Sequence, residues 1–324
     1  MRTRRVFYFR GSMKFTKPPL TVDQQIALLN KRGMVIDDLA AARNALHALN
    51  YYRLSAYWLP FESPPSGSAA RSHQFVSGTT FKHCLDLYAF DDNLRRLCFD
   101  GITALEICIR SQFAAQLSLA YGSHFYLEPR LFKSTLRSSM GQVFWDHSSA
   151  VADIRKSVMN SREIFIKHYL ANYDDPKDYP PIWMVSEIMS FGELSRWIKN
   201  LNAPKDRQKI ADFFDLDESV FDTAIHHFSV LRNICAHHSR LWNRDLVFPL
   251  KLPQRPAFFR SGYFNTGIHS RRIYNSLVML AYFIGKIIDA KPWMHELAEH
   301  IKTCPCAFEE MGYEKDWEKR RPWN

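Results

Sequence analysis

The fold class is decided by residues 80–121, TFKHCLDLYAFDDNLRRLCFDGITALEICIRSQFAAQLSLAY, which carry helical periodicity over their whole length. Apolar residues recur there every three or four positions, and Gly122 supplies a helix end signal. Gly101 predicts that this element is bent or divided. Helical patterns also dominate the rest of the chain, and no stretch of more than a few residues alternates with the period of two typical of strands. The sequence therefore predicts an all-α fold built around a bundle-length helix.

The composition excludes several classes of protein. Of the 324 residues, 46% are hydrophobic and 14% aromatic, with 12 Gly and 16 Pro, which excludes a disordered, collagen-like or low-complexity chain. The most apolar run, residues 277–284, is too short to span a bilayer, and the N-terminal residues lack the apolar region of a signal peptide. Six cysteines, mostly single and in apolar stretches, favour free thiols. We therefore expect a cytoplasmic protein with no membrane partner.

Four segments are predicted along the chain. They are a disordered basic extension (1–13), an N-terminal helical lobe with its linker (14–78), a helical bundle (79–303) and a C-terminal tail (304–324). Asp23 is the predicted cap of the first helix, and Asp37 or Asp38 that of the second. Within the bundle, Asp217 is expected to cap one of the further helices, which are predicted over 143–170, 218–243, 269–289 and 292–301.

The strongest local signal is HHFSVLRNICAHHSRLWNR, residues 226–244, at the end of the helix predicted over 218–243. On a helical wheel, the polar residues of this segment share an arc of about 140°, namely Arg232, Asn233, His237, Arg240 and Asn243. The opposite arc is apolar and is expected to face the bundle core. His238 lies within that apolar arc. The wheel therefore predicts that His237 faces a polar groove, whereas His238 faces the core.

Arginine and histidine on one polar face suit the cleavage of RNA. Arg232 can bind a phosphate through two parallel hydrogen bonds, and His237 can exchange protons near neutral pH. The reaction needs a base for the 2′-hydroxyl proton, an acid for the leaving 5′-oxygen and cations for the transition-state charge, so no metal or other cofactor is expected. The 43 Lys and Arg against 33 Asp and Glu give a net charge of +10, which favours a polyanionic partner such as RNA.

Several ordered stretches resemble the Abi family of abortive-infection phage-resistance proteins, of the AbiD/AbiF type. These stretches are LRNICAHHSRLWN, KPPLTVDQQIALLNKRGMVIDD, LNYYRLSAYWLPF and ITALEICIRSQFAAQLSLAYG. The family belongs to the HEPN superfamily of helical bundles, whose Arg-Asn…His motif is associated with metal-independent ribonuclease activity. The resemblance therefore implies a HEPN-like helical bundle in which Arg232 and His237 are catalytic and Asn233 is the polar residue of the motif.

The resemblance also implies partners. HEPN nucleases commonly pair two motifs in one site, and this chain has one convincing copy, so a homodimer acting on RNA is expected. The sequence leaves open which RNA is cut, what triggers cleavage, and whether a small-RNA or protein antitoxin restrains it.

Four further residues are candidates for supporting roles at the site. Glu106 and Arg110 are spaced i, i+4 and match the family's pattern, so they either hold Arg232 or form an ordinary helix-surface pair. Arg240 lies on the polar arc and His238 on the apolar arc. Either could support the site, although His238 is more simply a core or interface histidine.

Candidate RNA contacts lie elsewhere in the chain as well. Tyr52 and Arg53 combine a stacking surface with positive charge, as single-stranded RNA binders do, although packing of the aromatic residues of this helix on the bundle is the simpler explanation. Asn243 is a further candidate RNA contact. Cys304 and Cys306 lack the partner spacing of a zinc site, and no metal ligand is assigned.

These observations favour an endoribonuclease toxin of bacterial abortive-infection phage defence. The alternative is a non-catalytic RNA-binding or RNA-sensing module of a phage-defence or toxin–antitoxin system. A component that acts only through a protein partner is a third interpretation.

Overall fold

The computed structural model describes residues 16–65, 71–248, 250–253, 259 and 263–324. This part of the chain contains twelve α-helices and one two-stranded sheet, so the predicted all-α fold is confirmed. The basic extension predicted over residues 1–13 lies outside the described residues. The chain divides into two compact units, Met1–Tyr88 and Ala89–Asn324, and the division falls within a helix.

The described residues of the first unit form the short α-helices α1 (Val22–Lys31), α2 (Leu39–Leu49) and α3 (Tyr51–Leu54). Leu54, Tyr57 and Trp58 are buried in its core. The aromatic residues that follow α3 are therefore part of the core of this unit.

The two predicted cap positions in the first unit have different outcomes. Thr21 caps α1, because Gln24 N donates to Thr21 Oγ1 and Thr21 N donates to Gln24 Oε1, a reciprocal capping box. The predicted cap Asp23 is therefore wrong. Asp38 caps α2 as expected, since its Oδ1 accepts a hydrogen bond from Ala41 N at 2.9 Å.

The longest helix, α4 (Phe81–Tyr121), continues from the first unit into the second. The other helices of the second unit are α5 (His147–Asn160), α6 (Ile164–Asn172), α7 (Ile182–Ile188), α8 (Phe191–Lys199), α9 (Pro204–Ala211), α10 (Glu218–Ala236), α11 (Ile273–Ile287) and α12 (Lys291–Lys302). Helix α10 packs against α8 and α9, and α11 is buried over most of its length. Helices α11 and α12 confirm those predicted over 269–289 and 292–301.

Helix α4 is continuous at Gly101, so the predicted division there is wrong. A Cβ atom on Gly101 would lie 2.9 Å from Cδ1 of Ile284 and 3.0 Å from Cδ2 of Leu280, both on α11. The absence of a side chain lets α4 and α11 approach closely. This glycine therefore serves helix packing rather than helix termination.

The single helix predicted over 143–170 is also wrong. The structure has strand β2 (Val143–Trp145), paired antiparallel with β1 (Leu136–Arg137), and then the separate helices α5 and α6. Asp146 starts α5, because its Oδ1 accepts a hydrogen bond from Ser149 N at 2.9 Å. Hydrogen bonds from the hydroxyl groups of Ser148 and Thr135 also hold the pKa of the Asp146 carboxyl well below its ordinary value.

Residues near the C-terminus pack against α11 within the second unit. Tyr313 and Trp317 are buried, and the Tyr313 ring packs edge-on against Tyr274 of α11, with ring centroids 4.7 Å apart. Among the described residues, no helix combines the length and the apolar character that crossing a membrane requires.

Candidate active site

Helix α10 starts as predicted and ends earlier. Asp217 caps its first turn, since its Oδ1 accepts a hydrogen bond from Ser219 N at 2.9 Å. The helix ends at Ala236 instead of reaching residue 243. A Schellman motif closes it, in which His238 N donates to Cys235 O and Ser239 N donates to Ile234 O, both at 3.0 Å. The helical wheel therefore does not apply beyond Ala236.

The early end of α10 changes the position of His238. This residue takes the left-handed conformation, with φ of 53°, that glycine usually adopts at the end of a Schellman motif. His238 is exposed, so the prediction that it faces the core is wrong. His237 occupies the C-cap position and is exposed too, and Asn233 is exposed on the last turn of the helix.

Arg232 lies on α10 where this helix faces α4, and 36% of its side chain is exposed. Its Cζ lies over the ring of Phe99, 5.5 Å from the centroid. Its Nε is 3.7 Å from Glu106 Oε2, which is an ion pair beyond hydrogen-bond range. That Nε is buried and has no hydrogen-bond partner among the described residues. The guanidinium is thus positioned from two sides while its charge is only weakly compensated.

The carboxylate of Glu106 is shared between two arginines. It accepts a hydrogen bond from Arg110 Nη2, one turn along α4, and its other oxygen faces Arg232. Arg110 Nη1 donates to the carbonyl of Ser186 on α7. Glu106 and Arg110 are both buried. Among the described residues, Glu106 is the carboxylate that pairs with both guanidinium groups, so one positive charge is left over, and Arg232 carries this charge to the protein surface.

The turn that follows α10 is held by Asp91, a residue that the sequence analysis missed. Asp91 is fully buried on α4 and forms an ion pair with Arg95. Its Oδ1 accepts a hydrogen bond from Trp242 N at 2.6 Å, and its Oδ2 accepts one from Leu241 N at 3.1 Å. The local sequence signal for a buried ion pair here is the i, i+4 spacing of Asp91 and Arg95. Glu106 and Arg110 have the same spacing, so this signal does not single out Asp91 as the residue that holds the turn.

Arg240 and Asn243 lie in this turn and not on the face of α10 that the wheel predicted. The carbonyl of Arg240 accepts a hydrogen bond from Arg244 Nη1 at 3.1 Å. Asn243 has φ of 48°, and its carbonyl accepts one from Arg272 Nη1 at 2.6 Å. Of the predicted polar arc, Arg232 and Asn233 remain on the helix, with His237 at its cap. The remaining candidates, Tyr52 and Arg53, are exposed on α3 of the first unit.

A second histidine on α10 contrasts with His237. His227 is buried, its Nδ1 donates to the carbonyl of Phe248 at 2.6 Å, and its Nε2 accepts from Ser276 Oγ at 2.8 Å. Burial lowers the pKa of His227 to about 4. This neutral imidazole joins α10 to α11 through its hydrogen bond to Ser276.

The described residues contain no group of three or more His, Cys, Asp or Glu side chains that could hold a metal ion. All six cysteines are free, and burial raises the pKa of Cys306 to about 12. The groups available for chemistry at the end of α10 are the exposed imidazoles of His237 and His238, the exposed amide of Asn233 and the half-buried guanidinium of Arg232.

The candidate site lies within a region that a protein family shares. A family model described as Abi-like protein matches residues 44–243, well over half of the chain. The chain belongs to the Abi-like family. Membership of this family implies a role in abortive-infection phage resistance. The matched region contains Glu106, Arg110, Arg232, Asn233 and His237. No curated protein and no solved structure matches the chain.

Proposed function

We propose that this Abi-like protein is a metal-independent endoribonuclease of the HEPN type. The observation that carries the proposal is the end of α10, where the exposed His237 follows Arg232, which lies over Phe99 and against the Glu106 carboxylate. A fixed guanidinium with little charge compensation suits a phosphodiester, and an exposed imidazole suits proton transfer at neutral pH.

In the proposed reaction, His237 removes the proton from a 2′-hydroxyl group. The freed 2′-oxygen attacks the adjacent phosphorus, and the bond from phosphorus to the 5′-oxygen of the next nucleotide breaks. Arg232 neutralises the charge that develops on the phosphoryl oxygens, and Asn233 offers an amide hydrogen bond beside it. A protonated imidazole returns a proton to the leaving 5′-oxygen. The products are a 2′,3′-cyclic phosphate and a 5′-hydroxyl end.

The need for both a base and an acid favours a homodimer. Each chain carries one Arg232–His237 pair, so two copies related by a two-fold axis would supply two imidazoles and two guanidinium groups to one phosphate. If this is correct, specific activity falls on dilution below the concentration at which light scattering detects dissociation. A monomer with full specific activity contradicts this part of the proposal.

The end chemistry of the products tests the proposal. Purified protein is incubated with end-labelled single-stranded RNA in excess EDTA, and the product ends are identified by mass spectrometry. We expect cleavage in EDTA with 2′,3′-cyclic phosphate ends. Cleavage that requires a divalent metal and leaves a 3′-hydroxyl end would refute the mechanism. RNA binding without cleavage would favour a non-catalytic RNA-binding module instead.

A further inference from the structure

The first unit contains a cleft of about 620 Å³ that the proposed reaction does not use. A cleft of this volume is large enough to hold one nucleotide. Its lining combines cationic and aromatic side chains, which include Lys17, Arg32, Arg71, His73, Tyr51 and Tyr52. None of the described residues that line it carries a carboxylate. The cleft is therefore suited to an anionic ligand with a flat ring.

Tyr52 offers an open aromatic surface at this cleft. It is 85% exposed, the opposite of what packing within the unit would require. Its backbone position is fixed, because Asn50 Oδ1 accepts a hydrogen bond from Tyr52 N at 2.8 Å, and Asn50 itself takes a positive φ of 69°. Trp58, by contrast, is buried and packs edge-on against Tyr51, with ring centroids 4.9 Å apart. Tyr51 and Trp58 form the wall, and Tyr52 is the ring available for stacking.

Two arginines of the cleft are held in place by different partners. Arg32 Nη1 donates to the phenol oxygen of Tyr51 at 2.9 Å, so the contact orients the guanidinium without neutralising its charge. Arg71 forms an ion pair with Glu62, whose side chain is almost fully buried. Arg32 and the exposed Lys17 have no ion pair with any described residue, so they supply positive charge to the lining.

We propose that this cleft binds one nucleotide of a single-stranded RNA, with the base stacked on Tyr52 and the flanking phosphate contacted by Arg32 and Lys17. Stacked aromatic rings beside cationic side chains are the usual means of holding unpaired RNA. The inference takes RNA as the ligand from the proposed function, but it concerns a contact separate from the residues that cut. The cleft would add affinity for the strand without taking part in cleavage.

The first test measures binding in a chain that is designed not to cut. The full-length His237→Ala protein is titrated into a fluorescein-labelled, unpaired RNA of mixed sequence, and anisotropy gives the Kd. Adding Tyr52→Ala is expected to weaken binding about tenfold, within the range for loss of one stacked base. Tyr52→Phe keeps the ring and should keep the affinity. Tyr173→Ala removes another exposed tyrosine, in the second unit, and should change nothing.

Two further experiments test the phosphate contact of Arg32 and the place where the RNA binds. Arg32→Gln should flatten the dependence of log Kd on log salt by about 0.7, the contribution of one phosphate contact on a single strand. RNA that contains 4-thiouridine should crosslink to the peptide that carries Tyr51 and Tyr52. Equal affinity with and without Tyr52→Ala, or crosslinks confined to the second unit, would overturn the inference. In either case the cleavage assay on wild-type protein decides separately whether the protein is a nuclease.

Discussion

Two acid–arginine pairs on α4 serve different regions of the second unit. Asp91–Arg95 and Glu106–Arg110 have the same i, i+4 spacing and the same order of charges. Asp91 is sealed from solvent, and both of its oxygens accept hydrogen bonds from backbone N–H groups of the turn after α10. Glu106 is buried as well, but one of its oxygens faces Arg232, a partly exposed side chain.

The difference between the two pairs lies in what the carboxylate holds. Asp91 fixes a stretch of backbone, so its loss should lower the free energy of unfolding. Glu106 positions a cation that reaches the surface, so its loss should lower the rate of a reaction on a phosphate. Spacing along the helix is the same in both pairs and does not reveal this difference.

The largest effect is expected at the buried Asp91–Arg95 pair. Asp91→Ala leaves Arg95 buried without this carboxylate and removes the acceptor of two backbone N–H groups. We expect the free energy of unfolding to fall by about 3–5 kcal/mol, as for other broken buried ion pairs. Urea unfolding followed by circular dichroism measures this change.

Asp92→Ala is the matched control, because Asp92 pairs with the same Arg95 but its side chain is 58% exposed. Its loss should lower the free energy of unfolding by less than about 1 kcal/mol. Equal losses in the two variants would show that burial of Asp91 does not set its role.

The contrast between a buried and an exposed group also applies to two histidines of this region, since His227 is buried on α10 and His237 is exposed at its end. Below the ordinary pKa of 6.5 the unfolded chain takes up a proton at His227, whereas the folded chain resists protonation until its pKa of about 4. The free energy of unfolding should therefore fall as the pH drops through this window, by about 3 kcal/mol in total for this residue.

Urea unfolding of wild type and His227→Gln at about pH 7 and about pH 4 measures this contribution. The variant should lose less stability than wild type between the two conditions. The same pH dependence in both proteins would contradict a neutral, sealed His227.

A smaller effect is expected at the Glu106–Arg110 pair. Glu106→Gln removes the charge that positions Arg232, so RNA cleavage should slow by about tenfold in protein that is still folded at the assay temperature. Asp100→Asn is the control, because Asp100 is an exposed carboxylate on the same helix that pairs with Arg96. A wild-type rate in Glu106→Gln would remove Glu106 from the positioning of Arg232.

Much of the fold was predictable because apolar periodicity is a local property. It located α11, α12 and the start of α10, where Asp217 supplies an ordinary cap signal. It failed over 143–170, since residues 143–145 form strand β2 and the chain leaves the helical conformation between the end of α5 at Asn160 and the start of α6 at Ile164. The division predicted at Gly101 is also wrong, because that glycine allows a close contact with α11, far along the chain.

Prediction of the candidate site was also limited by the difference between local sequence patterns and contacts with residues far along the chain. Arg232, Asn233 and His237 are close in sequence, and their order alone marked them. The place where α10 ends was not predictable, because His238 fills a left-handed position that glycine would have signalled. Asp91 was missed because it is 150 positions away from Leu241, the backbone that it holds.

The central claim is that His237 performs proton transfer during RNA cleavage, and comparison of two adjacent variants tests it most directly. His237 and His238 are both exposed at the end of α10, so His237→Ala and His238→Ala remove the same group from neighbouring positions. With each protein folded, we predict that His237→Ala lowers the cleavage rate by at least about a hundredfold, while His238→Ala keeps nearly the wild-type rate. A wild-type rate in His237→Ala would contradict the account.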